Sequence, residues 1–173
     1  MESLKTAYPA ENFDRPGPAR PGFWLYLAFA DGEADEYGVR LAPMKSWMVV
    51  MSAALGTTGV MLGAFGAHAL KKVLPPEALA SFEVGVRYQL LHAVALLGLA
   101  AISAQVASPW IARAGGFWSA GILLFSGSIY LLACRHALGV PGLKVLGPVT
   151  PIGGLLLILG WGALFAAAWK ARG

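Results

Sequence analysis

The side chains that could do chemistry in this sequence form two groups, each set at helical spacing within a mostly apolar stretch. The first group lies on both sides of a Pro75-Pro76 turn, and the second lies in the motif FSGSIY at 125–130. The first group consists of His68, Glu83, Arg87, Tyr88, Gln89 and His92. The second group consists of Ser126, Ser128 and Tyr130. These two groups are the candidate sites of the chain.

Glu83 and Arg87 are four residues apart with the acid first, which is the order that favours an ion pair on a helix. Tyr88 and His92 have the same spacing, and Gln89 lies beside them. Ionisable groups at membrane depth are costly, so they normally find partners or face water. The pattern favours a polar clamp that fixes one helix against its neighbours. The alternative is a proton or ion path, or a site for a polar headgroup.

His68 and His92 both lie near the same loop, where a bis-histidine haem or a metal ion would need them. A metal would usually require a third ligand, for which the sequence offers only Glu83, and no HxxxH or CxxC spacing is present. A nucleophile at Ser126 or Ser128 would need a neighbouring base, and no His or acid is adjacent. We therefore expect no metal, no cofactor and no enzymatic activity, and we expect the serines to bond to backbone carbonyls or across helices.

The composition indicates a membrane protein. Hydrophobic residues make up 57% of the 173 residues and charged residues only 13%, about half the charged share of ordinary soluble domains. The 22 glycines fit close helix packing in lipid. The single cysteine, Cys134, excludes an intramolecular disulfide.

Four long apolar runs must position the candidate residues. They cover approximately 47–70, 88–106, 115–138 and 150–169. Each is near or above the ~20 residues that cross ~30 Å of hydrocarbon, and backbone groups in lipid must be satisfied within the segment, so the runs are helices. Pro76 followed by Glu77 predicts a helix that begins there and continues into the second run. The predicted fold class is an all-α membrane protein, with a four-transmembrane-helix antiparallel bundle at 44–173.

Residues 1–43 form a predicted N-terminal extension that is largely irregular, with prolines among mixed charges. Its apolar stretch at 23–30 (FWLYLAFA) is too short to span a membrane, so we interpret it as an interfacial or docking segment. A signal-peptide cleavage site at Ala28-Phe29-Ala30 is an alternative. A second alternative is that the chain starts at Met44, which would make the extension an appendage.

Charge is distributed unevenly along the chain. Residues 1–43 hold four Lys/Arg and seven Asp/Glu, whereas residues 44–173 hold nine and two. In the second part the basic residues flank apolar runs and do not cluster on a polar face, so the partner is the lipid bilayer and not nucleic acid. Counting Arg40 of the extension, five basic residues fall at each end of the bundle. Setting aside Arg87 and Arg135, which should have partners in the helices, favours cytoplasmic termini.

Glycines recur on one face of the first and fourth predicted helices. The positions are Gly56, Gly59, Gly63 and Gly66, then Gly153 and Gly160. The first four follow each other at steps of three, four and three, and include a GxxxG pair. The pattern favours grooves that pack against another helix, and the alternative is a face that admits a ligand.

Four motifs together resemble a known family. They are GAFGAHALK at 63–71, FSGSIY at 125–130, TPIGG at 150–154 followed by Gly160-Trp161, and a spaced pattern. The spaced pattern consists of Phe82, Tyr88, Gln89, His92, Ala93, Leu96 and Leu97. The chain resembles the domain of unknown function 423 family of small four-helix membrane proteins, whose eukaryotic relative is the mitochondrial transmembrane protein 256. The resemblance covers about 44–173, implies a bacterial inner membrane location or its mitochondrial equivalent, and implies no activity.

Two functions remain open on these grounds. The favoured interpretation is an accessory or structural subunit of a larger membrane complex, associated with other membrane subunits or with itself. The mitochondrial relative makes an energy-transducing complex the natural place to look. The alternative is a small transporter or channel that moves protons or a small solute through His68, Glu83, Arg87 and His92.

Overall fold

The computed structural model describes residues 45–171, and these residues form four long helices. The helices are α1 (Ser46–His68), α2 (Pro76–Ser103), α3 (Pro109–Cys134) and α4 (Val149–Lys170). Short 3₁₀ turns cover Leu70–Lys72 and Pro141–Leu146. No strand occurs among the described residues, and all four helices are long and apolar enough to cross a membrane. The predicted fold class is confirmed.

The extension at 1–43, with its predicted interfacial segment at 23–30, lies outside the described residues. The interpretation of that extension therefore stays a prediction.

Helix α2 begins at Pro76 and continues without a break to Ser103, as the Pro-Glu start predicts. Pro at the first position needs no donor hydrogen bond, and Glu77 complements the positive end of the helix dipole. With 28 residues, α2 is about 42 Å long, against a hydrocarbon layer of about 30 Å. Part of this helix must therefore extend beyond the hydrocarbon.

Helix α3 occupies different limits from those that the apolar run predicts. It begins at Pro109, six residues before the run, because Ser108 caps it by accepting a hydrogen bond from the Trp110 N–H at 3.3 Å. It ends at Cys134 and not at 138. The chain then turns at Gly139, whose φ of 69° lies in the left-handed region that glycine adopts most easily.

The glycine face of α1 packs against α2. Gly59, Gly63 and Gly66 face, in that order, Leu90, Val86 and Phe82. Successive glycines along α1 face residues with decreasing numbers in α2, so the two helices run antiparallel. Gly56 differs from the other three, because a Cβ atom built there meets nothing within 4 Å.

The contact between α3 and α4 is closer still. A Cβ atom at Gly153 would overlap the backbone nitrogen of Phe125, and one at Gly160 would overlap the indole of Trp118. At Gly121 the nearest backbone atom, the nitrogen of Leu157, would be 3.0 Å away. These glycines let the two backbones approach to a distance that no larger residue permits.

The extensive helix contacts link α1 to α2, α2 to α3 and α3 to α4. All four helices nevertheless contribute to one apolar core. Its fully buried members include Met48 of α1, Leu96 of α2, Trp118 of α3 and Ala167 of α4. The bundle is therefore held by sequential pairs of helices around a shared centre.

We expect Gly153→Ala to lower the free energy of unfolding by about 1–3 kcal/mol, because the added methyl group must displace backbone and not a flexible side chain. Gly162→Ala, on the same helix, is the matched control, since its Cβ atom meets nothing within 4 Å. That control should be neutral or stabilising by up to about 1 kcal/mol. Unfolding in detergent micelles with a rising fraction of sodium dodecyl sulfate measures both. Equal stability of the two variants would contradict the packing described here.

Candidate functional site

The Gln89 side chain lies at the centre of a polar network that joins three helices. Its amide nitrogen donates to the carbonyl oxygen of Leu55 and to the hydroxyl of Thr58, both at 2.8 Å. Its amide oxygen accepts from the hydroxyl of Tyr130 at 2.9 Å. Both donor hydrogens and the acceptor of this buried side chain are therefore used. Gln89 links α2 to α1 and α3 simultaneously.

Two serine hydroxyls bond to carbonyl oxygens of α2 from opposite sides. Ser52 of α1 donates to Ala93 at 2.7 Å, and Ser126 of α3 donates to Gly85 at 2.8 Å. Both serines are buried. A helix carbonyl accepts such a second bond without losing its own, so these contacts join helices as expected for serines in lipid.

His92 bridges α2 and α4. Its Nδ1 atom lies 2.9 Å from the carbonyl oxygen of Tyr88, and its Nε2 atom lies 3.3 Å from the indole nitrogen of Trp161. A carbonyl only accepts and an indole N–H only donates, so the imidazole must carry its hydrogen on Nδ1 and accept at Nε2. The neutral tautomer satisfies both neighbours.

Trp118 packs edge-on against Trp161, with 4.7 Å between the ring centroids. Its indole nitrogen has no hydrogen-bond partner within the described residues, although the side chain is buried. A further bond joins α3 to α4, since the hydroxyls of Ser128 and Thr150 are 2.7 Å apart. Polar contacts thus connect α4 to both α2 and α3.

A groove of about 560 Å³ lies beside the His92–Trp161 bridge, where α2 and α4 do not pack closely. Tyr88 of α2, Phe125 of α3 and Ile158 of α4 contribute to its walls. Its lining is mostly apolar, with the phenol and imidazole as polar groups. The groove has the size and character of a site for an apolar molecule, and the structure holds no constellation there for covalent chemistry.

The structure does not bring together the four residues of the alternative transport path. His68, Glu83 and Arg87 are exposed, whereas His92 is buried. His92 lies 16 residues after Pro76, about 24 Å along α2, so it is far from the loop where His68 ends α1. No salt bridge joins Glu83 to Arg87 within residues 45–171. Of the residues predicted to clamp α2, Gln89 and His92 make bonds to other helices, and Tyr130 and the serines add further bonds.

Reasoning from motifs did not identify four partners in this network as site residues: Ser52, Thr58, Thr150 and Trp161. The hydroxyl of Thr58 also bonds to the carbonyl oxygen of Ala54 at 2.8 Å, so it behaves like an ordinary helical threonine. Trp161 lies well inside α4 (Val149–Lys170), and its position was the one available signal, because indole rings in membranes usually lie near the helix ends.

The fold and its internal polar network define a multi-pass α-helical membrane protein. The chain belongs to the DUF423 family, since the model described as a protein of unknown function (DUF423) matches residues 62–154. The family expected from the motifs is thus confirmed.

Curated relatives extend this similarity over nearly their whole length. The UPF0382 inner membrane protein YgdD of Escherichia coli K12 is 36% identical over 126 residues, which cover 73% of this chain and 92% of the relative. The UPF0382 membrane protein of Haemophilus influenzae is 36% identical, over 75% of this chain and 98% of its own. YwdK of Bacillus subtilis is 35% identical, over 70% and 95%. No solved structure matches. The chain is a bacterial inner membrane protein of a family whose function is unknown.

We expect Tyr130→Phe to destabilise the bundle by about 0.6–1.7 kcal/mol, the range of hydrogen bonds between membrane helices. The lost hydroxyl leaves the Gln89 amide oxygen without its donor. Tyr88→Phe is the matched control, because the Tyr88 hydroxyl makes no hydrogen bond within residues 45–171 and the side chain is 40% exposed. The unfolding free energies of the two variants are compared in mixed micelles. A control as damaging as Tyr130→Phe would refute the assignment of the network.

Glu83→Gln and Arg87→Met should each change the free energy of unfolding by no more than about 0.5 kcal/mol, the usual range for exposed sites away from specific contacts. Both side chains are exposed and unpaired with each other, so neither substitution leaves a stranded charge. Thermal unfolding in detergent measures this. A large loss of stability in both single variants, with recovery in the double variant, would show that Glu83 and Arg87 form the ion pair that their spacing predicts.

Proposed function

We propose that this protein is a non-catalytic accessory subunit that packs through α1 against a transmembrane helix of a larger membrane complex. The observation that carries the proposal is a second face of α1, exposed and built mainly from small residues. It consists of Ala53, Thr57, Val60, Ala64 and Ala67, which we call the outer row.

The outer row follows steps of four, three, four and three along α1. This spacing keeps the residues on one stripe of the helix, as in the seam between two packed helices. Small side chains at such a stripe allow close approach of a second helix in lipid. Gly56 borders the row and has open space where its Cβ atom would lie, which leaves room there for the close approach of a second helix.

The lipid-facing side of α4 differs from the outer row. Its exposed residues are large and apolar: Ile152, Leu155, Ile158, Phe165 and Trp169. Such side chains are well suited to contact with acyl chains. The contrast between the outer row and the exposed side of α4 supports a protein partner for the outer row, whereas Met61 and Phe65, exposed elsewhere on α1, suit contact with lipid.

The interior supports a structural role as well. The amide of Gln89 and the hydroxyls of Ser52, Ser126 and Tyr130 are all engaged in bonds between helices. Groups used in this way hold the bundle together and are not free to bind a solute. Transport through His68, Glu83, Arg87 and His92 has no supporting contact, because these residues do not converge.

The experiment is affinity purification of the full-length chain from its native membrane in mild detergent. The wild type should retain a membrane-protein partner in stoichiometric amount. Ala64→Trp should reduce that amount about tenfold or more, since a bulky ring inserted into a close helix seam costs several kcal/mol or prevents contact. Ala64 is exposed, so the variant should keep the wild-type unfolding temperature.

Ile158→Trp is the matched control, because it places the same ring on the large-residue face of α4. It should retain the partner fully. Wild type that purifies as a single-component oligomer would assign the outer row to self-association, and equal recovery of partner by Ala64→Trp would overturn the proposal.

A further inference from the structure

Two basic side chains converge on one tryptophan at the end of the bundle where α3 begins. The Cζ atom of Arg113 is 4.5 Å from the centroid of the Trp110 ring, and the Nζ atom of Lys170 is 5.4 Å from it. Arg113 belongs to the second turn of α3, whereas Lys170 is the last residue of α4. Cations at this distance are attracted by the negative face of the indole. Two positive charges therefore lie against the same indole ring.

A cavity of about 400 Å³ adjoins Trp110 and Lys170. Gln105 and Ser108 line it with polar side chains, and Trp110, Ala167 and Lys170 complete much of its wall. The Ser108 oxygen accepts the Trp110 N–H at 3.3 Å, so its own hydrogen remains available to donate to another group. The cavity thus combines a cation, a hydroxyl donor and an apolar wall.

No carboxylate of the described residues lies at this end to neutralise the charges. Glu77 and Glu83 are the only acidic residues after residue 43. Both lie in the first turns of α2, and Glu83 is 20 residues, about 30 Å, from the opposite end at Ser103. Ser103 accepts a hydrogen bond from the backbone N–H of Lys45 at 3.1 Å, which adds a third basic residue at the same end.

We propose that Arg113, Lys170 and the adjoining cavity bind the phosphate of an anionic phospholipid, with Trp110 packed beside the glycerol region. The ends of spanning helices lie at the level of the headgroups, where tryptophan is favoured. A guanidinium group donates two parallel hydrogen bonds to phosphate oxygens, and a lysine adds a point charge. Because the site is at headgroup depth, the bilayer itself supplies the ligand. This site is independent of the packing role proposed for α1.

The test uses the delipidated full-length protein in neutral detergent, with phosphatidylglycerol or phosphatidylcholine added at equal concentrations. Phosphatidylglycerol should raise the unfolding temperature more than phosphatidylcholine, because it binds the folded state. Removal of each charge should weaken phosphatidylglycerol binding about fivefold, so Arg113→Gln with Lys170→Gln should weaken it about 25-fold. The same titrations on lipid-exchanged protein, followed by native mass spectrometry, count the bound lipids.

Lys71→Gln with Lys72→Gln is the matched control, since it removes two exposed charges from the other end of the bundle. It should keep the full preference for phosphatidylglycerol. If the Arg113 and Lys170 double variant does not fold, Arg113→Lys should retain binding and Arg113→Gln should lose about fivefold. An unchanged preference in the folded Arg113 and Lys170 variants would overturn the proposal. Inorganic phosphate that reproduces the whole stabilisation would overturn the assignment to a lipid.

Discussion

The structure depends on one constraint: within hydrocarbon, backbone groups must be satisfied inside the protein, and a polar side chain without a partner is costly. Gln89 shows how this constraint specifies the packing of the helices. Its amide can be satisfied only when α1 supplies the Leu55 carbonyl and Thr58 hydroxyl and α3 supplies the Tyr130 hydroxyl. A displacement of α1 by one turn would break the bond to its hydroxyl, because Ala54 and Leu62 lie one turn to either side of Thr58. The network therefore selects one register among the many that apolar surfaces alone would permit.

Glycines make that register attainable. Between α3 and α4, a Cβ atom at Gly153 would overlap the backbone of α3, and one at Gly160 would overlap the Trp118 indole. Between α1 and α2 the approach is looser, since Gly59 and Gly63 face the ends of leucine and valine side chains. Dispersion forces from close contact replace the hydrophobic effect, which offers little between helices already surrounded by lipid. Polar bonds give the bundle its specificity, and close packing gives it much of its cohesion.

The sequence was sufficient for the fold and insufficient for the site, for a physical reason. Run length and hydropathy determine the number of spans, because any helix that crosses the bilayer must satisfy the same ~30 Å. The partners of Gln89 depend instead on which faces of neighbouring helices meet, and no spacing within one helix contains that information. Glu83 and Arg87 illustrate the difference: their spacing suits an ion pair, but α2 is long enough to carry them towards water, where exposed ions gain little from pairing. Gly56 follows the same spacing as Gly59, Gly63 and Gly66, but it does not lie at the contact between α1 and α2.

The same constraint separates the interior of this protein from its surface. At the centre of the bundle, the polar groups of Gln89, Ser126 and His92 already make hydrogen bonds between helices. They are therefore not free to bind a ligand. Substituting one of them for a binding function would leave its partner unsatisfied in a medium without water, at a cost of about 1–3 kcal/mol. Groups at the helix ends and on the outer side of α1 are not needed as hydrogen-bond partners inside the bundle. Association with helices and headgroups at the surface is therefore the kind of function that this architecture can acquire or change without loss of its fold.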